Sequence, residues 1–95
     1  MNISKSNTFS AGVDVSKLWL DAAIHGSEAT LRVANTPAGH RTLIDWLLAH
    51  GVGRVGLEAT GGYECAVVNA LRAAALEVVV HQPVEVRLFA RLKRL

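Results

Sequence analysis

The sequence predicts an α/β domain whose sheet is antiparallel at one end and parallel at the other. Three observations predict it. Apolar residues recur at every second position in three short runs before residue 35, the spacing then changes to three and four, and from there helical and extended patterns alternate.

The first run sets Ala11, Val13 and Val15 on one side and Gly12 and Asp14 on the other, the mark of a half-buried strand. Ser16-Lys17 links it to a second run in which Leu18, Leu20, Ala22 and Ile24 share a face, and Gly26-Ser27 signals the next turn. A third run places Ala29, Leu31 and Val33 opposite Thr30 and Arg32. Links this short make an antiparallel meander. At Asn35-Thr36-Pro37 a helix begins, with Thr36 as its cap, Pro37 as its first residue, a stripe of His40, Leu43, Ile44, Leu47 and Leu48, and Gly51 as a left-handed stop.

Residues 53–58 form a strand that ends on a carboxylate. Thr60-Gly61-Gly62-Tyr63 leads into a second helix, for which Thr60 is the candidate cap and Tyr63, Val67, Ala70, Leu71 and Ala74 are the apolar stripe. Residues 76–80 read as a parallel strand covered on both faces. Pro83 opens a last helix with Val84, Leu88, Leu92 and Leu95 on one stripe and Arg87, Arg91 and Arg94 on another. Right-handed crossovers put strands four and five parallel to strand one. The order β-β-β-α-β-α-β-α in a mixed sheet is the ribonuclease H-like plan, here incomplete at the carboxyl end. Residues 1–10, rich in Ser and Asn, are expected to be a flexible arm, and residues 11–95 one domain.

With 95 residues, 51% of them apolar, the chain can build one core and not two. The single cysteine, Cys65, excludes an internal disulfide, and no Cys/His spacing suits zinc, so a reducing cytoplasm is expected and Cys65 is read as a helix-packing residue. No apolar run reaches bilayer length, and the expected setting involves no membrane. The net charge of +2 permits a nucleic-acid partner. Arg87, Arg91, Lys93 and Arg94 concentrate the positive charge at the end of the chain, with no acid among them.

Strands one and four are neighbours in this plan, which brings Asp14 beside Glu58. Two adjacent carboxylates repel each other unless a cation neutralises them, and hard oxygen donors favour Mg²⁺ or Mn²⁺. A pair of such ions about 4 Å apart is a device for in-line phosphoryl displacement. Asp14 and Glu58 are therefore the candidate metal ligands and catalytic acids. Asp21, Asp45, Glu28, Glu64, Glu77 and Glu85 read as surface charge. Lys17 is placed to reach a nucleic-acid phosphate, and the Thr60 loop to offer backbone N–H groups to one, although it lacks the spacing and lysine of a nucleotide loop. His81 stands at the carboxyl end of a parallel strand, where sites occur. Trp19 and Trp46 read as half-buried anchors.

Four blocks in order, Gly12-Val13-Asp14-Val15-Ser16-Lys17, Asn35-Thr36-Pro37-Ala38-Gly39, Glu58-Ala59-Thr60-Gly61-Gly62-Tyr63, and Gln82-Pro83 with Phe89-Ala90, resemble the DEDD transposases of the insertion sequence one-ten family and the related Piv-type DNA invertases. The resemblance implies a RuvC-like nuclease fold in a bacterial cytoplasm, with Asp14 and Glu58 as the first two of four acids that hold Mg²⁺ or Mn²⁺. It also implies DNA as substrate, an element-encoded guide RNA, and a separate carboxyl-terminal domain with a nucleophilic serine. The family's second pair of acids, two aspartates spaced three apart, has no counterpart, because no Asp follows Asp45. His81 departs from the Asn that the family more often carries before the proline. The expectation is an amino-terminal part of a transposase that is inactive alone. The alternative is a stub that self-associates or grips nucleic acid through Arg87, Arg91, Lys93 and Arg94 without chemistry. The uncovered stripe of the last helix predicts a homo-oligomer. An actin-like, phosphate-handling fold is a weaker reading, for want of a glycine-rich hairpin between the first two strands.

Overall fold

The structure, a computed structural model, describes residues 8–82. The expected last helix from Pro83, with Arg87, Arg91, Lys93 and Arg94, and most of the expected arm lie outside the described residues.

Five strands, β1 (Phe9–Val15), β2 (Trp19–Ile24), β3 (Thr30–Ala34), β4 (Val52–Glu58) and β5 (Glu77–His81), and two helices, α1 (Pro37–Ala49) and α2 (Cys65–Ala73), follow the predicted order. In space the strands run β3-β2-β1-β4-β5. The pairs β1/β2 and β2/β3 are antiparallel, while β1/β4 and β4/β5 are parallel. This is the mixed sheet of a ribonuclease H-like α/β fold.

Local chemistry sets each junction. The Ser16 amide donates to the Trp19 carbonyl at 3.0 Å and closes the β1–β2 hairpin. Thr36 caps α1 as expected, its hydroxyl oxygen accepting from the Gly39 amide at 3.1 Å. Gly51 leaves α1 at φ 74°, a left-handed conformation that costs glycine nothing. At Gly39 a β-carbon would collide with the Ala34 carbonyl, so the missing side chain is what lets α1 lie against the end of β3.

Both helices bury their apolar residues on one face of the sheet. Leu20, Leu43, Leu47, Val55, Val67 and Leu71 are fully enclosed there, each worth about 1.5–3 kcal/mol of transfer free energy. The alternation within strands reaches this core through Ala11 and Val13 of β1 and Val55 and Leu57 of β4.

Several expectations are corrected at the edges. β1 starts at Phe9, not Ala11, because the Phe9 amide donates to the Gly51 carbonyl at 3.1 Å, which takes Phe9 and Ser10 out of the expected arm. Leu18 belongs to the hairpin bend and is 64% exposed, so it does not share the buried face of β2. Leu48 and Tyr63 are likewise exposed, and Cys65 is exposed rather than packed. β5 alternates in burial and is not covered on both faces among the described residues, since Glu77 and Val79 point away from the helices.

Candidate active site

The face of the sheet opposite the helices is open among the described residues. Five of its titratable side chains form one row, with the Arg54–Glu77 pair farther along the same face. Asp14 pairs with Asp21, Asp21 with Arg32, and Glu58 with His81. The β1–β4 ladder ends at Val13 and Leu57, and Asp14 and Glu58 are the next residues of each strand. Side chains alternate along a strand, so with Val13 and Leu57 buried, Asp14 and Glu58 project together from the open face. The row therefore reads Arg32, Asp21, Asp14, Glu58, His81 across all five strands.

One step back along the strands lies a row of smaller side chains, Thr30, Ala23, Gly12, Gly56 and Val79. Together these rows line a broad trough of about 940 Å³ that includes Asp14, Glu58 and His81.

The acids differ in what neutralises them. Asp21 receives both Nε (2.8 Å) and Nη2 (3.1 Å) of Arg32, and this hydrogen bonding holds its carboxyl below the usual range. Arg32 in turn lies 5.3 Å from the centre of the Trp19 ring, which makes Trp19 an exposed platform on the open face instead of a half-buried anchor. Trp46 is partly buried and meets the His50 ring at 4.9 Å. Glu77 pairs with Arg54 at 3.3 Å. Among the described residues the carboxylates of Asp14 and Glu58 have neither a hydrogen-bond nor an ion-pair partner. No three acidic, histidine or cysteine side chains gather into a metal-holding cluster among the described residues.

The Thr60 loop is organised in reverse of the expectation. Thr60 does not cap α2. The Glu64 carboxylate accepts from the Thr60 amide (2.9 Å), the Thr60 hydroxyl (2.8 Å) and the Gly62 amide (3.1 Å). The Thr60 amide above all pulls the Glu64 carboxyl down to about 2. Thr60 is thus engaged by an internal anion and does not offer its donors to a phosphate, and Glu64 is not a free surface charge. Lys17 is exposed in the β1–β2 hairpin, two residues beyond Val15.

A second group connects the two loops that follow Asp14 and Glu58. Asn35 Nδ2 donates to the Ser16 carbonyl at 3.0 Å and to the Tyr63 carbonyl at 3.1 Å. Its Oδ1 lies 2.7 Å from Nε2 of His40, a side chain in the first turn of α1 that is 6% exposed and whose pKa burial lowers.

Sequence reasoning missed Asp21, Arg32, Asn35, His40 and Glu64 as neighbours of the site. A signal existed for Asp21: in the β1–β2 hairpin paired residue numbers add to 35 (11 and 24, 13 and 22), so 14 falls opposite 21. No such rule exposes the contacts of Asn35, which join segments 19 and 28 residues apart.

A family model described as a transposase, that of the DEDD transposases of the insertion sequence one-ten type, matches residues 11–94. The chain belongs to that family. Two solved structures share the fold of this DEDD transposase chain. The RuvC structure of Thermus thermophilus is 19% identical, with a TM-score of 0.57, over 80% of this chain and 62% of that one. The Fowlpox virus resolvase, solved in complex with its substrate Holliday junction DNA, is 16% identical, with a TM-score of 0.60, over 80% of this chain and 61% of that one. The transposase chain thus spans less than two thirds of either relative. No curated protein matches it. Among the described residues no helix is long and apolar enough to cross a membrane.

Proposed function

We propose that this chain supplies Asp14 and Glu58 as two metal-binding carboxylates of a DNA transposase that cuts and rejoins phosphodiester bonds. The observation that carries the reading is the pairing itself: two acids side by side on one face, each without a partner, while Asp21, Glu64 and Glu77 are all engaged. Such a pair suits a hard divalent cation, Mg²⁺ or Mn²⁺, in donor chemistry and in charge. When bound, the cation supplies charge stabilisation and an activated oxygen nucleophile for in-line displacement at phosphorus.

The chain's own residues provide the rest. Asp14 and Glu58 hold the ion against the open face. The row of smaller side chains through Gly12 and Gly56 leaves room for a DNA backbone in the trough. Lys17, at the hairpin, gives that backbone a cationic contact. His81, the cross-strand neighbour of Glu58, lines the same wall. In the family two further acids complete the set, and with only this pair the chain alone is inactive or nearly so.

Mn²⁺ binding measured by electron paramagnetic resonance tests the reading. Asp14→Ala and Glu58→Ala should each abolish it, and binding that persists in both variants rules the reading out. A second reading, nucleic-acid binding without chemistry, is favoured by the four cations among residues 87–95. Salt-dependent DNA binding that disappears when Arg87, Arg91, Lys93 and Arg94 are neutralised would support it.

A further inference from the structure

The β1–β4 ladder stops at Val13 and Leu57. Asp14 and Glu58 therefore stand just past its last rung, where no further pairing joins the two strands. Glu58 is tied on its far side, because the Ala59 amide donates to the His81 carbonyl at 2.9 Å. On the near side the link between the two loops is Asn35. Its two amide hydrogens are divided between them, one to Ser16, two residues after Asp14, and one to Tyr63, five residues after Glu58. The Asn35 backbone adds a third tie, its amide donating to the Leu18 carbonyl at 2.9 Å.

The orientation of this amide is chemically determined. A flipped Asn35 would present its oxygen to two carbonyl oxygens, so Nδ2 faces the loops and Oδ1 faces His40. Oδ1 can only accept, hence the His40 nitrogen next to it carries the hydrogen. His40 is buried in the first turn of α1, the helix that Thr36 and Pro37 start immediately after Asn35. The segment Asn35-Thr36-Pro37 thus starts a helix and anchors two loops within three residues.

We propose that Asn35, held in orientation by His40, is the positioning residue that fixes Asp14 and Glu58 at the spacing a single divalent ion needs. The inference rests on the metal reading of Asp14 and Glu58 and adds the residue that sets their separation. Asn35 touches neither carboxylate; it acts through the Ser16 and Tyr63 carbonyls.

The test uses the ¹⁵N-labelled chain and Mn²⁺ as a paramagnetic probe. In the wild type, amides after Asp14 (Val15, Ser16) and after Glu58 (Ala59, Thr60) should broaden together over one Mn²⁺ range. In Asn35→Ala the two groups should broaden over separate ranges, both weaker by about 10- to 100-fold, the scale of losing an outer-shell support. His40→Leu should behave likewise, and His40→Gln, which keeps a donor for Oδ1, should restore joint broadening. Core amides at Leu20, Val55 and Leu71 report whether each variant keeps its fold. Joint broadening at wild-type Mn²⁺ concentration in a folded Asn35→Ala or His40→Leu chain overturns the clamp. Broadening that survives both Asp14→Asn and Glu58→Gln in the wild-type background instead removes the metal reading, and the clamp with it.

Discussion

Asp14 and Asp21 face each other directly across the β1–β2 hairpin, yet only Asp21 is joined to a cation. Like charges in that relation repel, and the forked bond from Arg32 relieves the repulsion by neutralising one of them. The same bond withholds Asp21 from any ion at Asp14.

Removing the guanidinium should therefore strengthen metal binding. In Arg32→Ala, Asp21 becomes a free acid beside Asp14, and Mn²⁺ affinity measured by titration should rise severalfold. Unchanged affinity in a folded variant would show that Asp21 stands too far from the ion to contribute.

Glu64 should give the chain an acid-sensitive corner. Its carboxyl titrates at about 2 in the fold against an ordinary 4.5. A depressed value means that the ionised form is the one the fold stabilises. The contribution is complete above the ordinary value and fades as pH falls towards the folded one. Urea midpoints of wild type and Glu64→Gln should differ by a constant amount above about pH 5 and converge as the carboxylate protonates. Parallel curves down to pH 2 would refute the assignment.

Leu43→Ala should destabilise the chain by about 2–5 kcal/mol, because Leu43 is fully enclosed between helix and sheet. Leu18→Ala, in the exposed hairpin bend, should stay within about 0.5 kcal/mol of wild type. Denaturant unfolding followed by circular dichroism separates the two.

The glycines at 39 and 12 should respond oppositely. Gly39→Ala drives a methyl group into the Ala34 carbonyl, and a loss of about 1–3 kcal/mol is expected from the shift it forces. At Gly12 a β-carbon meets nothing within 4 Å, so Gly12→Ala should fold as wild type does. Thermal midpoints measured side by side decide both.

The strand order, the Thr36 cap and the meeting of Asp14 with Glu58 on one face were legible because each depends on neighbours in sequence or on a general rule of sheet topology. Alternation fixes which side Asp14 takes, and crossover geometry fixes that strands one and four adjoin. The edges were misjudged where tertiary pairing overrode local composition: Phe9 looked like part of a loose arm until Gly51 supplied its hydrogen-bond partner. Tyr63 fits an apolar helical stripe on paper and Cys65 a helix-packing position, but α2 begins at Cys65, and its buried side is carried by Val67, Val68 and Leu71. The Asn35 contacts were out of reach because an amide's partners, unlike a stripe's, leave no periodic trace.

The Thr60 corner carries its own anion in Glu64. A polyanionic strand that comes near it finds the Thr60 and Gly62 amides taken and a negative charge beside them. Lys17 stands in the neighbouring hairpin, whose Ser16 carbonyl shares the Asn35 amide with Tyr63, so this end of the sheet sets an exposed cation next to an anion already held by the chain's own donors.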